Sequence, residues 1–418
     1  MAAQPATTRI RVFVDIDETP VPVGIAYASQ RGDHTTVTFA YDDTYQADGR
    51  AYSISPDLPL RQSQHVTDGL PKAFGDSAPD RWGRNLIRKR HQALHRSSGT
   101  ARTVGEVDYL LGVSDATRQG ALRYTLDDNG PFQADDIATG GVPKIVALPE
   151  LLAAADKVAR DPDAMTAIKI LLDAGTGTLG GARPKASVRD NEQLLIAKFP
   201  HHSDDWDVMA WEKTTLDLAA AAGINTPPSR LALIENQHVL LLDRFDRQHA
   251  ATTANLGGRR LPYISAMTLI GADDGTKSDY LELAEALTLH GAAVNKDLAQ
   301  LWRRIAFSLI VNNTDDHMRN HGFLHTYGGW TLSPAFDINP EPDINRHRAS
   351  TIGFTDQPAG TKAALMDNAA EFRLKSSAAA SIWDEVLEAT ANWRDVATSH
   401  GIPERELTMF APALDRYR

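Results

Sequence analysis

The chain has 418 residues, 42% hydrophobic and 23% charged, a globular balance that excludes a disordered tail or a fibre and has room for two or three domains. Lys+Arg 43 against Asp+Glu 54 leaves a net charge of −11, so the chain as a whole repels nucleic acid, and any such contact needs a local basic patch. Without cysteine there is no disulfide, thiolate metal site or cysteine nucleophile. With no secretory leader and no apolar run long enough for a membrane span, the cytosol is the expected compartment.

Residues 8 to about 55 alternate like strands, in RIRVFVDI, VGIAYAS and TTVTFAYDD, with turn residues between them. From Asp80 to about Arg96 the pattern becomes helical. Between Arg81 and Arg102 stand seven basic residues (Arg81, Arg84, Arg88, Lys89, Arg90, Arg96 and Arg102) and no acid. Such a run is either a solvated helix face or a surface for nucleic acid or an acidic partner. Asp127-Asp128-Asn129-Gly130-Pro131 marks a boundary, so residues 1–130 are expected to form a β-rich N-terminal subdomain.

A mixed segment is expected over 131–262. Ala164, Ala167, Ile168, Leu171 and Leu172 keep the spacing of one helix face, and Gly175 is placed to end that helix. The glycine-rich stretch GTGTLGGARPK follows. ASV and LLIAKF read as a hairpin across Arg189-Asp190-Asn191, Val208 to Ala222 as a helix, and LALIE with HVLLLDRFD as a hairpin across Asn236-Gln237. Residues 263–418 read as a mainly helical lobe. Its Leu298, Leu301, Trp302, Ile305 and Leu309 stripe stops at Asn312-Asn313, and a short hairpin carries Asp337 at a strand end.

Gly175-x-Gly177-x-x-Gly180 matches a dinucleotide-binding spacing, but a helix precedes it and Pro184 with a hairpin follows, so the strand–turn–helix context is missing. No P-loop motif is present. A glycine loop feeding a strand can instead cover phosphates with its backbone N–H groups, or be a plain turn. Lys198 ends a strand whose Leu194 and Ile196 share its face. Glu212 lies on an otherwise apolar face of the next helix and needs a partner. Lys on a strand paired with Glu on the following helix is how protein kinases hold α- and β-phosphates. The alternative is a lysine snorkelling from a sheet edge.

The densest cluster is Asn312-Asn313-Thr314-Asp315-Asp316-His317-Met318-Arg319-Asn320-His321. The offset from Asp315 to Asn320 is that of the kinase catalytic loop, where a carboxylate accepts the hydroxyl proton and an amide oxygen holds Mg²⁺. Asp337 is the expected second Mg²⁺ ligand. His317 could touch phosphate or brace the loop, and Asp246, in DRFDR, could reach a ribose or sit in a surface charge run. Two other readings stay open. One is a metal hydrolase using Asp315, Asp316, His317, His321 and His325; the other has the two acids merely capping structure.

Taken in order, the glycine loop, IAKFP, the Glu212 helix, DRFDR, NNTDDHMRN and LSPAFDINP resemble the HipA toxins, bacterial serine/threonine kinases of type II toxin–antitoxin pairs. LPKAFGDSAPDRWGRNLI and LLGVSDATRQGALRY in the N-terminal part fit the same family. The resemblance implies an α+β, two-lobed protein-kinase-like fold that uses ATP and Mg²⁺. Asp315 would be the catalytic base, with Asn320 and Asp337 on Mg²⁺. Gly180, Gly181, Ala182, Arg183, Lys185 and Lys198 would lie along the phosphates, with His317 beside them. Asp243, Arg244 and Phe245 would form the adenine hinge, with Asp246 adjoining. Thr178 falls at an autophosphorylated loop position, with Thr176 a rival acceptor, and Arg183-Pro184 departs from the more flexible family pattern. The implied partners are a HipB-like helix-turn-helix antitoxin, operator DNA mainly through that antitoxin, and a protein substrate such as an aminoacyl-tRNA synthetase. A catalytically silent nucleotide-binding co-repressor is the remaining alternative.

Overall fold

Residues 6–32, 34–62, 64–98, 103–128, 130–133, 141–161, 163–175, 183–248 and 258–418 are described by a computed structural model. They fall into two compact units, Met1–His202 with Asp246–Ile264, and Ser203–Phe245 with Ser265–Arg418.

The first unit opens with an antiparallel sheet of β1 (Ala6–Ile16), β2 (Thr19–Arg31), β3 (His34–Tyr41), β4 (Gln64–Asp68) and β5 (Leu122–Thr125), in the order β4-β3-β2-β1-β5. The two-residue period of the sequence decides which face is buried: Ile10, Val12 and Val14 on β1, and Val37, Phe39 and Tyr41 on β3, point into the core. There Phe39, Phe74 and Tyr124 pack edge to face. The turn from β1 to β2 places Asp17 and Glu18 at positive φ, as a two-residue hairpin turn requires. The basic segment as far as Ser98 forms the helix Arg81–Ser98, which buries Trp82, Leu86 and Ile87 and exposes Arg81, Arg88 and Arg90, while Arg102 lies outside the described residues. Arg84 is instead paired with Glu106 at 2.5 Å.

Farther along this unit, the helices Leu148–Arg160 and Met165–Asp173 precede the glycine-rich segment. Ala167, Ile168 and Leu171 are buried as their spacing predicts, whereas Ala164 and Leu172 at the ends of that face are only half-buried. Gly175 ends the helix at φ +66. The hairpin Lys185–Asp190 with Gln193–Lys198 turns at Asn191, φ +52.

In the second unit, the helix Val208–Ala221 begins where Asp207 caps the Ala210 N–H at 3.0 Å. The next hairpin pairs Ser229–Ile234 with Gln237–Asp243. Its turn is Glu235-Asn236, both at positive φ, one residue earlier than expected, because a two-residue turn of this kind needs left-handed backbone at both positions. The helix Val294–Ile310 buries its whole predicted stripe. A short hairpin, Gly322–Thr326 with Gly329–Leu332, follows, and from Thr361 onward the chain is mostly helical. Among the described residues no helix is long and apolar enough to cross a membrane.

Candidate active site

The Val294–Ile310 helix ends because Asn312 takes left-handed backbone, φ +54, at the first of the two asparagines. Its side chain then donates to the Glu341 carbonyl at 2.6 Å, and the Asn313 N–H returns to the Ser308 carbonyl at 2.8 Å. The loop that follows is pinned from outside as well. Ala349 N–H donates to the Thr314 carbonyl at 2.8 Å, and the Ser350 hydroxyl to the Asp316 carbonyl at 2.7 Å.

Two adjacent carboxylates in this loop have opposite surroundings. Asp316 is buried; its Oδ2 accepts from the Tyr280 hydroxyl at 2.6 Å, and its Oδ1 lies 3.0 Å from His321 Nε2. Burial opposes its charge, but His321, Tyr280 and Arg348 outweigh that and hold it well below the usual carboxylate range. Asp315 reaches solvent, and among the described residues its carboxylate accepts no hydrogen bond. Partial enclosure and the nearby Asp337 carboxylate raise its pKa against the lowering effect of His317 and Arg346. A carboxylate that is accessible, uncommitted and made more basic suits a proton acceptor.

Asn320 is placed by a short 3₁₀ turn, Met318–Asn320, and its Nδ2 donates to the Asp315 backbone carbonyl at 3.1 Å. This bond ties the two ends of the five-residue offset together and leaves the amide oxygen for another ligand. Asp337 lies in the same unit, near enough to Asp315 for their charges to interact. It does not end a strand: the hairpin stops at Leu332, two residues before Pro334, which has no N–H to continue a ladder. Asp337 instead stands in irregular chain at φ +57. Next to it, the Phe336 ring packs 5.4 Å from Phe245, so the Asp243-Arg244-Phe245 segment approaches the Asp337 segment within this unit. Glu212 is buried on the Val208–Ala221 helix with Val208, Leu216 and Ala219.

In the first unit, Lys185 and Lys198 stand directly opposite each other on the hairpin, and both are buried. Opposed residues of an antiparallel pair share a face, so two cations project together. Arg183 is half-buried just before them. Gly180, Gly181, Ala182, Thr178 and Thr176 lie outside the described residues. Asp246 is 2% exposed, and its Oδ2 accepts from Gly120 N–H at 2.7 Å and from Arg247 at 2.8 Å, a buried network rather than a surface charge run.

A family model described as the HipA-like C-terminal domain matches residues 177–393, more than half of the chain. The chain belongs to the HipA family. A second model, the HipA N-terminal domain, matches residues 21–104. Y4mE of Sinorhizobium fredii, whose name proposes a kinase, is 24% identical over 336 residues, 77% of this chain and 76% of that protein. The solved HipA of Shewanella oneidensis MR-1, determined with HipB and operator DNA, superposes with a TM-score of 0.68 at 15% identity, covering 98% of this chain and 95% of that one. The fold is therefore the α+β, kinase-like HipA fold.

Sequence reasoning missed several of the residues that hold the loop carrying Asp315 and Asp316. Tyr280 and Ser350 bond to Asp316 from 36 and 34 positions away, and Arg348 bonds to Ser308 near the end of the preceding helix from 40, with no local pattern to announce them. Asn312 did carry a signal, since asparagine after an apolar stripe is a common left-handed helix end. His321 is turned to Asp316, and His325 packs edge-on to Trp330 at 5.1 Å. Among the described residues no three His, Cys, Asp or Glu side chains are grouped to hold one metal ion.

Proposed function

We propose that this HipA-family chain is an ATP- and Mg²⁺-dependent protein serine/threonine kinase, the toxin of a type II toxin–antitoxin pair. The observation that carries the reading is the uncommitted Asp315 carboxylate, tethered through its own carbonyl to Asn320. The acceptor hydroxyl oxygen attacks the γ-phosphorus, the bond to the β–γ bridging oxygen breaks, ADP departs, and Asp315 takes the hydroxyl proton. The Asn320 amide oxygen and the Asp337 carboxylate are hard oxygen donors beside a charge-repelled Asp315, a donor set that fits Mg²⁺. When bound, that ion neutralises phosphate charge. Lys185 and Lys198, with Gly180, Gly181, Ala182 and Arg183, position the phosphates, and Glu212 orients Lys198. Asp243, Arg244 and Phe245 hold the adenine, with Asp246 steadying the chain beyond them and His317 bracing the loop.

By analogy with the Shewanella HipA, which was solved with HipB and operator DNA, the expected partner is a helix-turn-helix antitoxin, with DNA engaged mainly through it. The family resemblance makes an aminoacyl-tRNA synthetase the first acceptor to try, in the cytosol. The test is incubation of the purified protein with γ-labelled ATP, Mg²⁺ and such a synthetase, followed by peptide mapping. Label on the synthetase and on Thr178 or Thr176 is expected. Free phosphate with no labelled protein supports a hydrolase, and nucleotide binding without turnover supports a silent co-repressor.

A further inference from the structure

Beyond Asp337 the chain makes a tight two-residue hairpin turn in which Ile352 and Thr355 exchange backbone hydrogen bonds at 2.9 and 3.0 Å. The central residues are Gly353 at φ +54 and Phe354 at φ +67. Glycine is needed at the first, where a Cβ would come within 2.9 Å of Asn368 Nδ2. Phenylalanine at the second is the anomaly. The other non-glycine residues with positive φ among those described are Asp, Asn, Glu and Arg. A bulky apolar side chain in left-handed backbone is an outlier with a conformational cost. No buried contact offsets it, because Phe354 is 93% exposed.

The fold holds this turn firmly. Asp279, itself buried, accepts from Phe354 N–H at 2.7 Å, Gly353 N–H at 3.2 Å, Thr351 Oγ1 at 2.7 Å and Leu281 N–H at 2.9 Å. The same segment is bonded to the catalytic loop through Ala349 to Thr314 and Ser350 to Asp316. Phe354 is four residues beyond Ser350, so its Cα lies within roughly 14 Å of it at full extension. A single extended peptide, rising about 3.3 Å per residue, can therefore reach Asp315 and Phe354 together.

We propose that Phe354 is a docking knob for the acceptor protein, packing on an apolar side chain within about six residues of the phosphorylated hydroxyl. This rests on the kinase reading and adds a substrate preference to it. Lone exposed apolar residues are ordinary on protein surfaces. One held rigidly in a disfavoured backbone, on a segment bonded to the residues flanking Asp315, points to a recognition contact.

The test is a serine-peptide array in which Leu, Phe, Lys or Asp is placed in turn at each position on either side of the serine, read with wild type, Phe354→Gly and Phe354→Leu. Wild type is expected to favour an apolar residue at a defined offset. Phe354→Gly should lose about 10- to 100-fold in kcat/KM on that peptide, the size expected for unburying a phenylalanine. It should keep its rate on peptides lacking the apolar residue, and its melting temperature should be unchanged or higher, since glycine accepts the backbone angle. Phe354→Leu should retain the preference. An identical apolar preference in Phe354→Gly, or none in a wild type that does phosphorylate peptides, overturns the knob alone. Wild type labelling no peptide while labelling a protein acceptor overturns the knob alone, and wild type labelling neither overturns the kinase reading and the knob with it. Loss of antitoxin binding in Phe354→Gly with unchanged peptide preference also overturns the proposal, and assigns the turn to the antitoxin.

Discussion

Asp115 in the first unit and Asp315 in the second show what surroundings make of the same side chain. Asp115 is met by Arg123 at 2.5 Å and Arg260 at 3.0 Å, with the Arg118 charge nearby; Arg260 also lies 3.4 Å from Asp15. Burial opposes the charge of Asp115, yet these arginines keep it below the ordinary carboxylate range. Arg118, fully buried, is drawn down to about 10. Among the described residues Asp315 meets no such partners, and its pKa moves the other way. Where cations surround a buried carboxylate the result is architecture, joining the 113–123 stretch to Arg247 and Arg260. Where one carboxylate is left uncommitted beside another, the result is a group able to take a proton.

That contrast can be broken from either side, and the largest stability effect belongs to the architectural acid. Asp115→Ala strands buried arginines and is expected to cost about 3–5 kcal/mol, read as a fall in denaturation midpoint. Because the Asp115 pKa is depressed in the fold, its stabilisation is present above the ordinary carboxylate range and is lost as pH falls through the folded value. Acid titration followed by circular dichroism should therefore show a transition in wild type that weakens in Asp115→Asn.

Next in size is the brace under the loop that carries Asp315. Tyr280→Phe removes the hydroxyl that donates to Asp316 and is expected to cost about 1–3 kcal/mol, as for a buried charged acceptor losing a donor. Thermal melting measures it. If the loss is architectural, KM for ATP stays unchanged while kcat falls with the displacement of Asp315.

The smallest effect is the most discriminating. With its pKa raised in the fold, Asp315 lowers stability at pH values above the ordinary carboxylate range, and that penalty disappears as pH falls and the group is protonated. Asp315→Asn should thus melt slightly higher than wild type at neutral pH without Mg²⁺, while Asp115→Asn melts lower. The acid limb of the wild-type rate profile should lie above the ordinary aspartate range, since the base must be ionised to work.

The difference between the two acids also marks how far sequence could be read. Features fixed by neighbouring residues were legible: the alternation of β1 and β3, the Leu298–Leu309 stripe, and the Asp315–Asn320 offset that a side-chain-to-backbone bond closes. Features that depend on distant partners were not. Arg260 reaches Asp115 across 145 positions, and Asp246, read as a ribose contact or surface charge, is bonded to Gly120 across 126. Backbone angle was the other blind spot. Asp337 stands at positive φ outside any strand, and Gly353-Phe354 breaks the usual preference for asparagine or glycine in such turns.

The measurement that tests the central claim most directly pairs two readouts on one variant: ATP affinity by calorimetry, and single-turnover transfer of γ-phosphate, for wild type and Asp315→Asn. The account predicts nucleotide affinity within a few-fold of wild type and transfer slower by about 10²- to 10⁴-fold, the contribution of a positioned base. Transfer at the wild-type rate in Asp315→Asn would contradict it.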